Sequence, residues 1–88
     1  MTVLDMEEAC KSLGIDLDAY HTGTDKFDDI MFKCNYDLGK TFECFADEAT
    51  ELEFIAFVKW GRWEKRFPSV FNSDGTLANN PDFSVFDD

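Results

Sequence analysis

Hydrophobic positions along this chain change their period several times, and each change marks a boundary. Between Val3 and Leu13, Met6, Ala9, Cys10 and Leu13 fall at i, i+3, i+4 and i+7, the spacing of one buried stripe on a short helix. Thr2 and Asp5 form a capping pair at its start, and Glu7 and Glu8 suit the positive end of the helix dipole. Gly14 supplies the stop. From Ile15 the pattern becomes Ile-Asp-Leu-Asp-Ala-Tyr, a strict alternation. It predicts a strand with Ile15, Leu17 and Ala19 inward and Asp16 and Asp18 outward. The stretch from His21 to Asp25 then reads as a loop.

Alternation returns between Asp29 and Ala46 and predicts a hairpin. Ile30, Phe32, Cys34 and Tyr36 share one face, as do Phe42, Cys44 and Ala46 on the return. A two-residue turn at Leu38-Gly39 would set Glu43 against Cys34 on the buried face. A three-residue turn, Asp37-Leu38-Gly39 with Gly39 left-handed, pairs Cys34 with Phe42 and Lys33 with Glu43 instead, and so satisfies both faces.

Asp47 to about Phe67 reads as the main helix, with Thr50 and Glu53 as a capping box. Asp47, Glu48 and Glu51 gather at its start, and Lys59, Arg62, Lys65 and Arg66 toward its end, as the dipole favours. Gly61 ends or kinks it. Leu52, Ile55, Ala56, Trp60 and Trp63 form one stripe, and Phe54, Phe57 and Val58 a second on the opposite side. Two stripes need two covers, so either the C-terminal segment or a partner packs on the second. Residues 68–88 are rich in turn formers, with Phe71, Leu77, Phe83, Val85 and Phe86 spaced as anchors of an irregular arm holding one short helix or strand. The sum is an α+β fold in a single domain spanning 1–88: helix, small antiparallel sheet with a central hairpin, aromatic-rich helix, irregular C-terminal arm.

Composition agrees with one modest core. Ten Phe and two Trp among 88 residues set the chain apart from acidic disordered tails. No apolar run approaches the roughly 18 residues of a membrane span. The first ten residues have neither the basic nor the apolar region of a signal peptide. Three cysteines, none in CxxC spacing, argue against a disulfide framework and for a reducing cytosol, that of a host cell on the reading below.

Charge changes the picture most. Nineteen Asp and Glu stand against eight Lys and Arg, a net of −11. Residues 1–53 hold fourteen acids and four bases, whereas residues 59–66 hold four bases and one acid. Such a field repels nucleic acid and anionic membranes and speeds encounter with basic surfaces.

Candidate chemistry is sparse. His21 is the single histidine and has no local nucleophile motif around it, and Asp28-Asp29 and Glu7-Glu8 read as solvated pairs. An enzyme is therefore not expected. Cys10, Cys34, Cys44 and His21 are permitted zinc ligands, but their spacing matches no knuckle, so neither metal nor cofactor is expected. Trp60 and Trp63 interleave with bases as in single-strand binders, yet the surrounding negative charge opposes that use.

The acidic surface is what remains. Alternate residues of a strand lie roughly 6.6–6.8 Å apart, close to the spacing of successive phosphates, so Asp16 and Asp18 would imitate two of them. Asp25, Asp28, Asp29, Asp37, Glu48 and Glu51 would extend the track along loop, turn and helix start. In that reading the chain mimics nucleic-acid charge and binds a basic nucleic-acid-binding protein. It touches neither nucleic acid nor membrane itself, and acts as a monomer or small oligomer.

Three segments carry a resemblance: Gly23-Thr24-Asp25, Asn35-Tyr36-Asp37-Leu38-Gly39, and Glu53-Phe54-Ile55-Ala56-Phe57-Val58-Lys59. With the predicted order of helix, hairpin and aromatic helix, residues 1–67 resemble the small acidic phage anti-CRISPR inhibitors of type II-A RNA-guided nucleases. The resemblance implies a phage protein for host defence evasion, with Asn35, Asp37 and Gly39 at a hairpin turn that inserts into the nuclease. There carboxylates would satisfy the arginines that read guanines. The alternative is a protein-interaction module, such as an immunity protein or a virion or regulatory subunit, that buries Phe54, Phe57 and Val58 against its partner.

Overall fold

The computed structural model describes residues 3–86, and among them there is no β-strand, so the α+β expectation is overturned. The chain folds as α1 (Val3–Leu13), α2 (Leu17–Lys33), α3 (Leu38–Glu48), α4 (Glu51–Gly61), the single turn α5 (Trp63–Arg66) and a 3₁₀ helix (Phe83–Phe86).

The first helix is as its spacing predicts. Cys10 is buried, and Met6, Ala9 and Leu13 are half-buried beside it. Gly14 is left-handed at φ 71°, its N–H donates to Lys11 O, and the Ile15 N–H donates to Cys10 O at 2.9 Å. Those two bonds make a Schellman ending, which satisfies the last carbonyls of the helix. Thr2, of the predicted capping pair, lies outside the described residues.

Where a strand was expected at Ile15–Tyr20, α2 begins. The Asp16 carboxylate accepts the Ala19 N–H at 2.9 Å, so this acid is an N-cap and not an outward strand residue. Asp18 follows in the first turn. The stretch 21–25, expected as a loop, is helix throughout. Tyr20, Gly23, Thr24, Phe27, Ile30 and Met31 supply the inward stripe at helical spacing.

The hairpin is replaced by a helix–helix corner. Letters that alternate at 30, 32, 34 and 36 also fit a helical stripe at Phe27, Ile30, Met31 and Cys34, and the helix wins. The return segment behaves likewise, since Leu38, Thr41, Phe42, Phe45 and Ala49 recur at i, i+3, i+4, i+7 and i+11. Helical pairing lets Phe42 and Phe45 both reach the interior, whereas alternation would have sent Phe45 outward with Glu43. The turn residues also differ. Gly39 lies inside α3, and the left-handed positions are Asn35 (φ 55°) and Tyr36 (φ 63°). Asp37 caps α3 through a 3.1 Å bond from the Lys40 N–H.

The expected long helix is three pieces. Ala49 is extended and ends α3, so Asp47 and Glu48 close one helix and do not open the next. Thr50 then caps α4 with the predicted capping box: its hydroxyl accepts the Glu53 N–H at 3.2 Å, and Glu53 accepts the Thr50 N–H at 2.8 Å. Gly61 ends α4, with Arg62 left-handed behind it. Arg66 donates to the freed Gly61 carbonyl at 3.0 Å and lies over the Trp63 ring at 4.2 Å. The basic cluster thus serves the helix ends.

Phe42 is the centre of the core. Its ring lies 4.9 Å from Phe27, 5.0 Å from Trp63, 5.2 Å from Phe71 and 5.0 Å from Phe86. The second stripe of α4 is covered from within. Phe54 and Val58 are buried, Phe57 stacks on Phe27 at 4.2 Å, and Val70 and Phe71 of the C-terminal arm are buried in the same cluster. Phe54, Phe57 and Val58 of α4 are thus packed against this chain's own helices and C-terminal arm.

Candidate functional site

With α2 a helix, its acids acquire a geometry that no strand or loop would give them. Asp18, Asp25 and Asp29 stand at i, i+7 and i+11, nearly two and three full turns apart, and so share one face. Asp28 flanks them, and all four are exposed. The row runs about 16 Å along the helix axis at a rise of about 1.5 Å per residue. Of the two lysines on α2, Lys26 turns away to Glu53 at 2.7 Å, and Lys33 pairs with Asp29 at 3.0 Å. The hydrogen bond that Lys33 donates to Asp29, then the Asp29 charge, hold the Lys33 ammonium above its usual range; the Glu48 carboxylate adds to that. Among the described residues, Asp18, Asp25 and Asp28 make no ion pair.

The other expected site residues are distributed differently. Asp16 lies at the start of the same helix as its cap. Glu48, exposed at the end of α3, is close enough to act on Lys33 and extends the acidic field there. Asp37 and Gly39 belong to a separate cleft of about 230 Å³ with Lys40, Glu43, Phe83 and Ser84. Gly39 is buried and Asp37 is occupied as a cap, so neither forms an inserting turn tip. Asn35 is exposed at the corner between α2 and α3. Glu51 lines another cleft, about 330 Å³ and mostly apolar, with Ala46, Ala49, Phe54, Ile55 and Leu77. The phosphate-pitch argument for Asp16 and Asp18 falls with the strand.

Two residues that alternation assigned to the interior are at the surface. Phe32 is 72% exposed and Tyr36 68% exposed, with their rings edge-to-face at 6.4 Å. Phe32 lies seven residues beyond Asp25, four beyond Asp28 and three beyond Asp29, so the aromatic pair terminates the acidic row. The signal was available in the sequence: once Phe27, Ile30, Met31 and Cys34 are taken as the inward stripe, Phe32 and Tyr36 are left outside it.

The cysteines are free thiols. Burial, then the charge of Asp16, push the Cys10 thiol up. Cys44, expected on a buried hairpin face, is exposed on α3. Desolvation of its sulfur, then a hydrogen bond with the Cys34 thiol, push its pKa up, and the carboxylates of Glu48 and Glu43 act the same way. Among the described residues no three His, Cys, Asp or Glu side chains are grouped to hold a metal ion. Nor is any helix there long and apolar enough to cross a membrane. No family model, curated protein or solved structure matches the chain.

Proposed function

We propose that this chain is a non-enzymatic binding protein that presents the acidic face of α2 to a basic nucleic-acid site on another protein and blocks it. The observation that carries this reading is the row Asp18, Asp25 and Asp29 with Asp28 beside it, exposed on one side of α2. Asp25 repels Asp28 and Asp29 at i+3 and i+4, a cost that the Asp29–Lys33 pair offsets only in part. A basic cleft shaped for DNA would meet the same sign of charge there, at a lower linear density than a duplex presents. The partner class that fits is a host defence nuclease, and the mode of action is that of an anti-CRISPR inhibitor. The helical corner at 34–37 replaces the inserting hairpin, so the contact surface in this proposal is α2.

The test is direct. Binding and inhibition of a guide-loaded type II-A nuclease, with a restriction endonuclease and a basic non-nuclease protein as comparisons, are measured from about 50 to about 500 mM salt. Competitive displacement by target DNA, with affinity falling steeply as salt rises, supports the proposal. Binding that is flat in salt, or unchanged in the Asp18→Lys, Asp25→Lys, Asp29→Lys variant, sinks it.

A further inference from the structure

The aromatic pair at the end of the acidic row lies outside the core, and its surroundings specify what it would hold. We propose that Phe32 and Tyr36 form a seat for an arginine side chain of the basic partner, with Asp28 and Asp29 supplying the counter-charge. The inference rests on the acidic-face reading and names the partner chemistry of that face.

Three observations carry it. The first is exposure: about seven-tenths of each residue faces solvent, while the other aromatic side chains on α2, Tyr20 and Phe27, are engaged with Trp60 and the core. The second is conformation. Tyr36 is a bulky residue held at φ 63°, directly after Asn35 at φ 55°, a left-handed backbone that side chains of this size rarely adopt. Its N–H donates to Met31 O at 2.9 Å, which fixes the corner and sets the Tyr36 ring against the edge of Phe32. The third is charge. Asp28 and Asp29 lie one turn before Phe32 on the same side, and Asp25 lies two turns before it.

Charge decides between occupants. A second copy of this chain would bring its own −11 to the contact, and nucleic-acid bases would bring phosphates, so both are repelled by the row. A cationic side chain is attracted to the carboxylates and to the ring faces together. Arginine fits better than lysine, because a planar guanidinium stacks on a ring while its edge donates to carboxylates in a fork. The molecule already contains such a contact in Arg66 over Trp63 at 4.2 Å. Lys33 holds Asp29 only through an exposed ion pair, which an incoming guanidinium displaces at little cost.

The experiment uses the full chain and two probes, an all-arginine and an all-lysine peptide of equal length. Dissociation constants are measured for the wild type, for Phe32→Ala with Tyr36→Ala, and for Asp28→Asn with Asp29→Asn. Ring-proton shifts of Phe32 and Tyr36 are followed by NMR, and helicity by circular dichroism confirms that the exposed substitutions leave the fold intact. The expected result is a preference for arginine over lysine that falls roughly three- to ten-fold in the aromatic double variant, the range exposed cation–π contacts give. Salt-dependent binding of both peptides persists in that variant. In the carboxamide variant both peptides weaken together. An arginine preference that survives removal of both rings overturns the seat and leaves the acidic face standing. Failure of the wild type to bind either peptide overturns both. Wild-type dimers that dissociate on removing the rings assign the pair to self-association and overturn the seat.

Discussion

Lys26 of α2 donates to Glu53 of α4 at 2.7 Å, and the same Glu53 oxygen accepts the backbone N–H of Thr50 at 2.8 Å. One carboxylate therefore completes the capping box of α4 and ties that helix to α2. Glu53 is 7% exposed, so its charge is tolerated only because both partners are present. The Lys26 hydrogen bond, then the Thr50 N–H, hold the Glu53 carboxyl below its usual range. A carboxyl depressed in the folded state contributes stability that is fully present above the unfolded value of about 4.3 and is lost as pH falls through the folded value.

Glu53→Gln is therefore expected to lower stability by about 1–2 kcal/mol at neutral pH, since the amide keeps the cap acceptor but loses the charge. The exposed end of Lys26 keeps the figure below that of a fully buried pair. The wild type and the variant should converge as pH falls below the unfolded carboxyl value and through the lower, folded one. Melting temperatures between about pH 2 and 7 check this; a constant gap across the range would remove the charge from the account.

Gly23 stands where α2 crosses that same point of α4. A Cβ built there would lie 2.9 Å from the Glu53 carbonyl oxygen, a backbone atom that cannot step aside cheaply. Alanine in a helix interior ordinarily gains about 1 kcal/mol over glycine, but forcing two packed helices apart costs typically 1–3 kcal/mol. The expected net effect of Gly23→Ala is a loss of stability, read as a lower urea midpoint. A raised midpoint would show that the helices separate freely.

Arg62 occupies the left-handed region at φ 55° and ψ 34° between α4 and α5. A residue with a Cβ costs about 1–2 kcal/mol in that conformation, which glycine avoids. Arg62→Gly should raise the melting temperature by a few degrees, as about 1 kcal/mol shifts a domain of this size by roughly 4–8 °C. An unchanged or lower value would assign Arg62 a compensating contact.

The acid row should cost stability in the free protein. Asp25 has Asp28 and Asp29 at i+3 and i+4, and each such like-charge pair destabilises a helix by about 0.2–0.5 kcal/mol. Asp25→Asn should therefore raise the melting temperature slightly while weakening partner binding, and moderate salt should stabilise the wild type more than the variant. Thermal melts with and without added salt check it; a stabilising role for Asp25 would appear as the opposite sign.

Much of this was legible in the letters. Met6, Ala9, Cys10 and Leu13 with Gly14 specified α1 and its ending, and Thr50 with Glu53 specified the start of α4, because caps and short amphipathic stripes are local. The anchors of the C-terminal arm were legible too, since Phe71 is buried and Phe86 stacks on Phe42 at 5.0 Å. The middle of the chain was misread for a physical reason. From Ile30 to Ala46 the apolar residues fit a period of two and a period of 3.6 together, and short apolar runs do not distinguish them. Ile-Asp-Leu-Asp has the same ambiguity, because an Asp N-cap before a helix looks like an outward strand residue.

What the sequence determined by itself is the charge, its concentration in residues 1–53, and an aromatic inventory large enough for a core. What only tertiary structure decided is which faces those residues occupy. Phe42 needs Phe27, Trp63, Phe71 and Phe86 around it, and these come from four distant segments. Satisfying that cluster selects helices over strands at 17–48. The same choice aligns Asp18, Asp25 and Asp29 on one side of α2 and leaves Phe32 and Tyr36 in water. The core is non-local, so the period of its surface pattern is set by contacts that no window of sequence contains.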